Sequence, residues 1–594
     1  MASVVFCPWL PVVYFKLMTE PEPTSPAGSP FALRSERLGA LPIIDRYLQR
    51  IGVRALLERH LPPGDGRTGL AAATVISVLV ANLCVAREPL YGLADWAGRF
   101  DPVLLGLGVD DGARLNDDRV GRALDQLFDC DRGSLLTSMM LGVISEFQID
   151  CSQLHNDSTS ISLHGDYTAA DGRQRGGKRT VAAALGHSKD HRPDLKQFVL
   201  TLTVSADGAV PLAHRLLDGN TTDDQTHIQT WDSLVALVGR ADFLYVADSK
   251  LATREQMNHI HSHGGRFLSI LPRSRAEDGQ IRDWAQTHAF GFTEAARRPG
   301  KRQGDPDAVY WTAPAPIPTS EGHRIVWVRS SQKHECDAEA RRARIERGML
   351  ALESVQARLA GPRTRIKTLV AAEEAAHAAL TVASATRWIT YDIAETFEEG
   401  FRQEKRGRPG PDTRYRKTQR AIFTLTFKID HDKVTYDAQT DGCFPLVSND
   451  REPSDSELLG AYRYQPNLEK RHHQLKSVIG AAPIELKSPA RIEALACCEF
   501  IALLCQCLIE RELRAAMTHE NITELALYHE GRTSKAPTAA RVFDLYTDIA
   551  RHHLSTPDGH TIQVFEPDLD DLQRQVLQLL GLPASAYHST TPDP

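Results

Sequence analysis

The sequence predicts an α/β protein: a layered core with a mixed sheet, interrupted by an α+β insertion and preceded by an all-helical N-terminal domain. Three observations carry this. Apolar residues recur three and four apart from about Leu38 to Phe147, as in "LPIIDRYLQRIGVRALLERHL" and "AAATVISVLVANLCVA". At Gln148 the period changes to the alternation of strands, and the segments that follow read as three strands, a helix, a strand, a helix and a strand. After Pro272 that rhythm is lost, and a long charged helical stretch intervenes before strands resume.

The bulk numbers suit an ordinary globular protein with several cores: 594 residues, 42% hydrophobic and 24% charged. A net charge of -7 does not announce a nucleic-acid binder, so basic character has to be sought segment by segment. The ten cysteines show no paired CxxC spacing, and Cys497, Cys498, Cys505 and Cys507 sit in the apolar run "ALACCEFIALLCQCLIE". They read as small buried hydrophobes of a reducing cytoplasm. The opening "MASVVFCPWLPVVYF" lacks a basic leader and holds two prolines, and an upstream start codon ahead of Met18 accounts for it better than a signal peptide does. No other run approaches the roughly 20 apolar residues of a membrane span, so a soluble cytoplasmic protein without membrane contact is expected.

Taken in order, residues 1–32 should be a disordered leader, rich in Pro, Ser and Gly in "TEPEPTSPAGSPFA". Residues 33–147 form the helical domain, and in it "RLNDDRVGRALDQLF" begins with an Asn/Asp start signal and displays Arg119 and Arg122. Such a helix suits DNA recognition of the helix-turn-helix kind, or simply a solvated face. Residues 148–300 hold the first part of the α/β core, with strands in "QIDCSQLHNDSTSISL", "GKRTVAAALGHSK", "QFVLTLTVSADGAVPLAHRLL", "FLYVA" and "RFLSILP". The insertion, 301–450, contains a helical hairpin whose seam is Ile345, Met349, Leu352, Val355 and Leu359, broken at "GPRTR", and then the strands "WITYDI", "AIFTLTFKI" and "CFPLVS". Residues 451–520 complete the core and 521–594 form a C-terminal region.

Two acids end strands: Asp157 in "LHNDSTS" and Asp248 in "DFLYVADSKLATREQM". Asp248 could simply cap the following helix. Two carboxylates at strand ends of one sheet can also converge, and hard oxygen ligands are what Mg²⁺ requires. A third acid lies in "LLGAYRYQPNLEKRHHQLKS", where Pro466 suits the first turn of a helix running to about Val478. Glu469, His473 and Lys476 then share one face. The alternating His259, His261 and His263 look zinc-like but do not share a helix face, and surface histidines explain them better. The clearest local basic segment is "FRQEKRGRPGPDTRYRKTQR", in which Arg406 and Arg408 flank a glycine, as in a hook for narrow A·T-rich minor grooves or a loop touching phosphate.

These residues together resemble a DDE transposase of a bacterial insertion sequence. The branch signature is Tyr, two residues, Arg, three residues, Glu, six residues, Lys; here Tyr462, Gln465, Glu469 and Lys476 stand at that spacing, with glutamine in place of the arginine. "NDST" and "YVADS" match the two aspartate motifs, and "GHSKDHRPDLKQ" and "LDGNTTDD" resemble the insertion sequence 1634 family. The resemblance spans roughly residues 35–520. It implies a ribonuclease-H-like core in which Asp157, Asp248 and Glu469 are both the catalytic and the metal-binding residues, with Mg²⁺ as cofactor and Mn²⁺ as a substitute. It further implies double-stranded DNA, transposon ends and target, as partner, a homodimer in the DNA complex, and a nucleoid-associated prokaryotic setting. Tyr462, Gln465 and Lys476 would face DNA beside the cut. A metal-dependent nuclease without strand transfer, or a catalytically inactive DNA-binding relic, are the alternatives.

Overall fold

Gln197–Ser205 is buried at every position, and Gln153–Ser162 is half-buried or buried throughout. Strands covered on both faces belong inside a layered sheet, and neither of these is an edge strand. The computed structural model describes residues 31–589 apart from 64–68, 109–110, 301, 303, 362–363, 482–483, 529 and 559. The leader expected over 1–32 and the reading of the start therefore fall, up to residue 30, outside the described residues.

The chain forms two compact units, one of residues 150–160 and 184–473, the other of residues up to 149, 161–183 and 474 onward. The first is a mixed α/β unit around a sheet of nine strands. In spatial order they are Pro211–Leu217, Gln197–Ser205, Gln153–Ser162, Leu244–Val246, Arg266–Ile270, Cys443–Ser448, Arg324–Ser330, Ala308–Pro314 and Thr293–Arg298. Gln153–Ser162, Leu244–Val246 and Arg266–Ile270 are mutually parallel neighbours, and from Arg266–Ile270 outward every pairing is antiparallel. The α/β expectation holds at this level. The four outer strands come from sequence assigned to the core's end and the insertion, so the inserted segment extends the sheet rather than standing apart from it.

Two details differ from the sequence reading. "GKRTVAAALGHSK" contributes only Lys178–Arg179, paired with Gln174–Arg175 in a small separate ribbon, whereas "QFVLTLTVSADGAVPLAHRLL" is two strands. The division falls at Asp207-Gly208, where Gly208 and Ala209 adopt positive φ, the backbone that a tight hairpin turn demands. The helical hairpin exists as Ser331–Ala360 and Leu369–Ala383. Leu352, Val355 and Leu359 of the expected seam are buried against Ala372, Ala376 and Leu380, and Phe423 and Leu425 of a long two-stranded ribbon, Ile389–Gln403 with Tyr415–Ile429, close the same core.

The second unit is mainly helical. Its centre is Pro489–His519, packed by Ala72–Val85 and Asp117–Asp129. This helix is long and apolar enough to cross a membrane, contrary to the expectation that no such run follows the N-terminus, but 83% of its apolar window is buried inside the protein. Its cysteines are buried and, among the described residues, all cysteines are free thiols. A strand not foreseen, Ala32–Arg37, opens the unit and pairs with Ala550–Ser555, which pairs in turn with Thr561–Phe565.

Candidate active site

The parallel register explains how two acids far apart in sequence meet. His155 and Val246 are paired, and Asp157 and Asp248 each lie two residues further on, at the same level of the register. Asp248 lies just past its strand, whereas Asp157, expected to end a strand, stands in the middle of Gln153–Ser162, which continues beyond its neighbour. Asp157 Oδ1 accepts from the Ser158 amide at 2.8 Å and from Lys189 Nζ at 3.2 Å. Asp248 begins a short 3₁₀ turn, Ser249–Leu251, and its Oδ1 accepts from the Lys250 amide at 3.1 Å, so the capping role is real. Its backbone carbonyl is held by the Ser269 hydroxyl at 2.6 Å. Among the described residues, neither Asp157 nor Asp248 uses its Oδ2 in a hydrogen bond.

The electrostatics record the convergence. Burial, with repulsion from Asp248 adding to it, raises the Asp157 carboxyl above the usual range despite Lys189 and the Ser158 amide. Burial would also raise Asp248, but His227, the Lys250 amide and Lys189 outweigh it and hold that carboxyl low. His227 Nε2 is buried 3.8 Å from Asp248 Oδ1, too long for a hydrogen bond, while its Nδ1 lies 3.1 Å from the Tyr245 hydroxyl. Tyr462 is pushed up to about 12, first by burial and then by Asp248, Glu469 and Asp157 in turn. The Tyr462 hydroxyl thus lies in the negative field of the three acids, and Glu469 itself is exposed, with no hydrogen bond or ion pair among the described residues.

The helix bearing Glu469, Gln465–His473, is fixed to the sheet at both ends. At its start, His155 Nδ1 donates to Gln465 Oε1 at 3.1 Å, and His155 Nε2 accepts from Gln153 Nε2 at 2.8 Å. Burial lowers this imidazole to about 4, which keeps it neutral and able to serve one partner as donor and the other as acceptor. At its far end, Arg471 donates to the carbonyls of Ala209 and Gly208 in the hairpin turn, at 3.1 and 2.9 Å. Sequence reasoning missed both clamps; the substitution of glutamine for the signature's arginine was the only visible sign of the first.

Several expected residues are placed differently. Gln465 is half-buried, and its oxygen is engaged by His155. The α-helix ends at His473, and Gln474–Ile479 follows as a wider π-helical turn, so the spacing that put Lys476 on the face of Glu469 fails. Lys476 also belongs to the other unit. Arg119 is buried in Asp117–Asp129, where the period that buries Val120, Ala123 and Leu124 takes it inward, whereas Arg122 is exposed. Among the described residues, no three His, Cys, Asp or Glu side chains form a ready metal-ligand set, the His259 group included; His259 instead pairs with Asp232 at 2.8 Å.

Arg406 and Arg408 lie exposed in the loop of the long ribbon. Its register puts Arg402, Arg416 and Arg420 on one face, and Phe397, Phe401 and Tyr415, each more than half exposed, on the other. Residues 33–141 match a family described as a domain of unknown function, DUF4277, which lies within the helical N-terminal region. No curated protein matches the chain.

Proposed function

We propose that the chain is a DDE transposase that binds the ends of an insertion sequence, hydrolyses the DNA phosphodiester and joins the 3′ ends to target DNA. The observation that carries this reading is the placement of Asp157 and Asp248 at the same register level of adjacent parallel strands, with Glu469 adding to the negative field that holds the Tyr462 hydroxyl protonated. In this reading the first five strands, from Gln153 to Ile270, are a ribonuclease-H-like core and the rest of the sheet extends it.

The donors suit a hard divalent cation. They are carboxylates, Oδ2 of each aspartate is uncommitted, and the repulsion that raises Asp157 is what a cation would relieve. Asp157 and Asp248 would hold Mg²⁺, or Mn²⁺ in its place, with Glu469 completing the set. Bound there, the ion would supply Lewis-acid stabilisation of the attacking and leaving oxygens.

The protein's own residues do the rest. Ser158 and Lys250 amides fix the two aspartates in one orientation, and His227 keeps Asp248 ionised. Gln465 and Arg471 hold the Glu469 helix to the strand of Asp157 and to the turn beyond. Tyr462, held protonated at neutral pH by burial and by the field of the three acids, keeps a hydroxyl hydrogen to donate, and Arg406 and Arg408 supply charge for phosphate. Purified protein incubated with Mg²⁺ and DNA bearing the element's ends tests the reading. Products joined to a target are expected. Cut ends alone would make it a nuclease, and shifted but intact DNA a binding protein.

A further inference from the structure

The loop between the strands Gln153–Ser162 and Gln197–Ser205 brings a cation to the acids. It is seated by a close approach of two glycines: a Cβ on Gly186 would lie 2.1 Å from the Gly219 carbonyl oxygen, and one on Gly219 would lie 1.9 Å from the Gln197 carbonyl oxygen. Gln197 Nε2 donates to that Gly219 carbonyl at 2.8 Å. Further along the loop the Lys189 amide donates to the Ser160 hydroxyl at 3.1 Å, which fixes the backbone from which the side chain reaches. Lys189 Nζ then meets three oxygens: the Ser158 carbonyl at 2.7 Å, the Ser158 hydroxyl at 2.9 Å and Asp157 Oδ1 at 3.2 Å. Oxygen acceptors of this kind suit an ammonium, which has only N–H donors. The side chain is 34% exposed, so it can leave.

We infer that Lys189 is a resident counter-cation of the Asp157–Asp248 pair, holding the two carboxylates together while no metal is bound and competing with the divalent cation that replaces it. The inference rests on the metal-site reading of Asp157 and Asp248. Its physical content is that two carboxylates brought to the same level of neighbouring strands repel, and an ammonium on one of them offsets that repulsion. A divalent cation arriving beside it must face the ammonium or push it aside. Lys189 is thus a positioning residue that acts through Asp157.

Mn²⁺ binding, followed calorimetrically, and thermal unfolding in chelator test this on parent, Lys189→Met, Lys189→Arg, Asp157→Asn and Lys189→Met/Asp157→Asn. Lys189→Met should bind Mn²⁺ about tenfold more tightly than the parent, because the competing charge is gone, whereas Lys189→Arg should stay near the parent. In chelator Lys189→Met should unfold at a lower temperature, and that loss should largely vanish in the Asp157→Asn background. Should Lys189→Met not fold at all, recovery of folding in the double variant supports the inference and failure to recover overturns it. Unchanged or weaker Mn²⁺ binding by Lys189→Met, or an equal stability loss in both backgrounds, overturns the counter-cation role while Asp157-dependent binding by the parent leaves the metal site standing. If the parent binds no Mn²⁺ through Asp157, the metal-site reading and this inference fall together.

Discussion

In the proposed site Asp248 would hold two roles. Its Oδ1 caps a turn and its Oδ2 is uncommitted, so Asp248→Asn should keep the cap, with stability within about 1 kcal/mol of the parent. Cleavage of end-bearing DNA should nevertheless fall by more than about a hundredfold, since the anionic ligand is gone. Normal cutting by this variant would leave capping as its only task. Gln465 makes the opposite case. Gln465→Ala would strand the buried Nδ1–H of His155 and should cost about 1–3 kcal/mol in thermal unfolding, whereas Gln465→Glu retains an acceptor oxygen and should cost less. At this scale Asp248 was legible because an acid closing an apolar run is unusual, whereas Asp157 was picked out as an acid among small hydroxyl residues and stands inside its strand rather than at the end. Lys189 and His155 were not, because their roles depend on partners brought by the sheet register and by a loop, and a lysine or a histidine in sequence carries no sign of either.

Among elements, the nine-stranded sheet was legible in part and for a clear reason. Alternation located Gln153–Ser162, and short apolar runs located Leu244–Val246 and Arg266–Ile270, but pairing order is set by non-local contacts, so the enlargement of the sheet by Thr293–Arg298, Ala308–Pro314, Arg324–Ser330 and Cys443–Ser448 had no local signal. The end of the Gln465–His473 helix was illegible for a related reason: nothing in "HHQLKSVIG" distinguishes an α-helical from a π-helical turn, and the i, i+7 argument for Lys476 failed with it. The long ribbon makes a direct prediction. Its basic loop is exposed, so neutralising Arg406 and Arg408 together should reduce the slope of log affinity against log salt by about two units at most. Binding to A·T-rich and G·C-rich duplexes should weaken alike if the loop touches phosphate, and selective loss on A·T-rich DNA would instead mark a minor-groove hook. An unchanged slope would take the loop out of the DNA contact.

At the scale of the whole molecule, the division of the chain keeps the acids of the proposed site in one unit. Asp157, Asp248, Glu469 and Tyr462 all fall in the sheet unit, while the segments before, between and after it build the helical unit around Pro489–His519. That helix is buried nearly all round, which explains its apolar composition, yet it carries a buried acid, Glu499, raised by burial to about 8. The sign of its effect follows from linkage. A carboxyl whose folded-state value exceeds its unfolded value of 4.5 contributes stability in full below that value, and the contribution is lost as pH rises toward about 8. The loss should be on the order of a few kcal/mol, because every tenfold difference in proton affinity between the folded and unfolded chain is worth about 1.4 kcal/mol. Thermal unfolding measured from pH 4.5 to 9 should therefore show the helical unit weakening across that window. Glu499→Gln keeps the shape and cannot ionise, so it should flatten the dependence and raise stability most at the alkaline end. The same decline in both proteins would show that Glu499 is solvated in its ionised form and that the helix, despite its burial there, opens enough to admit water.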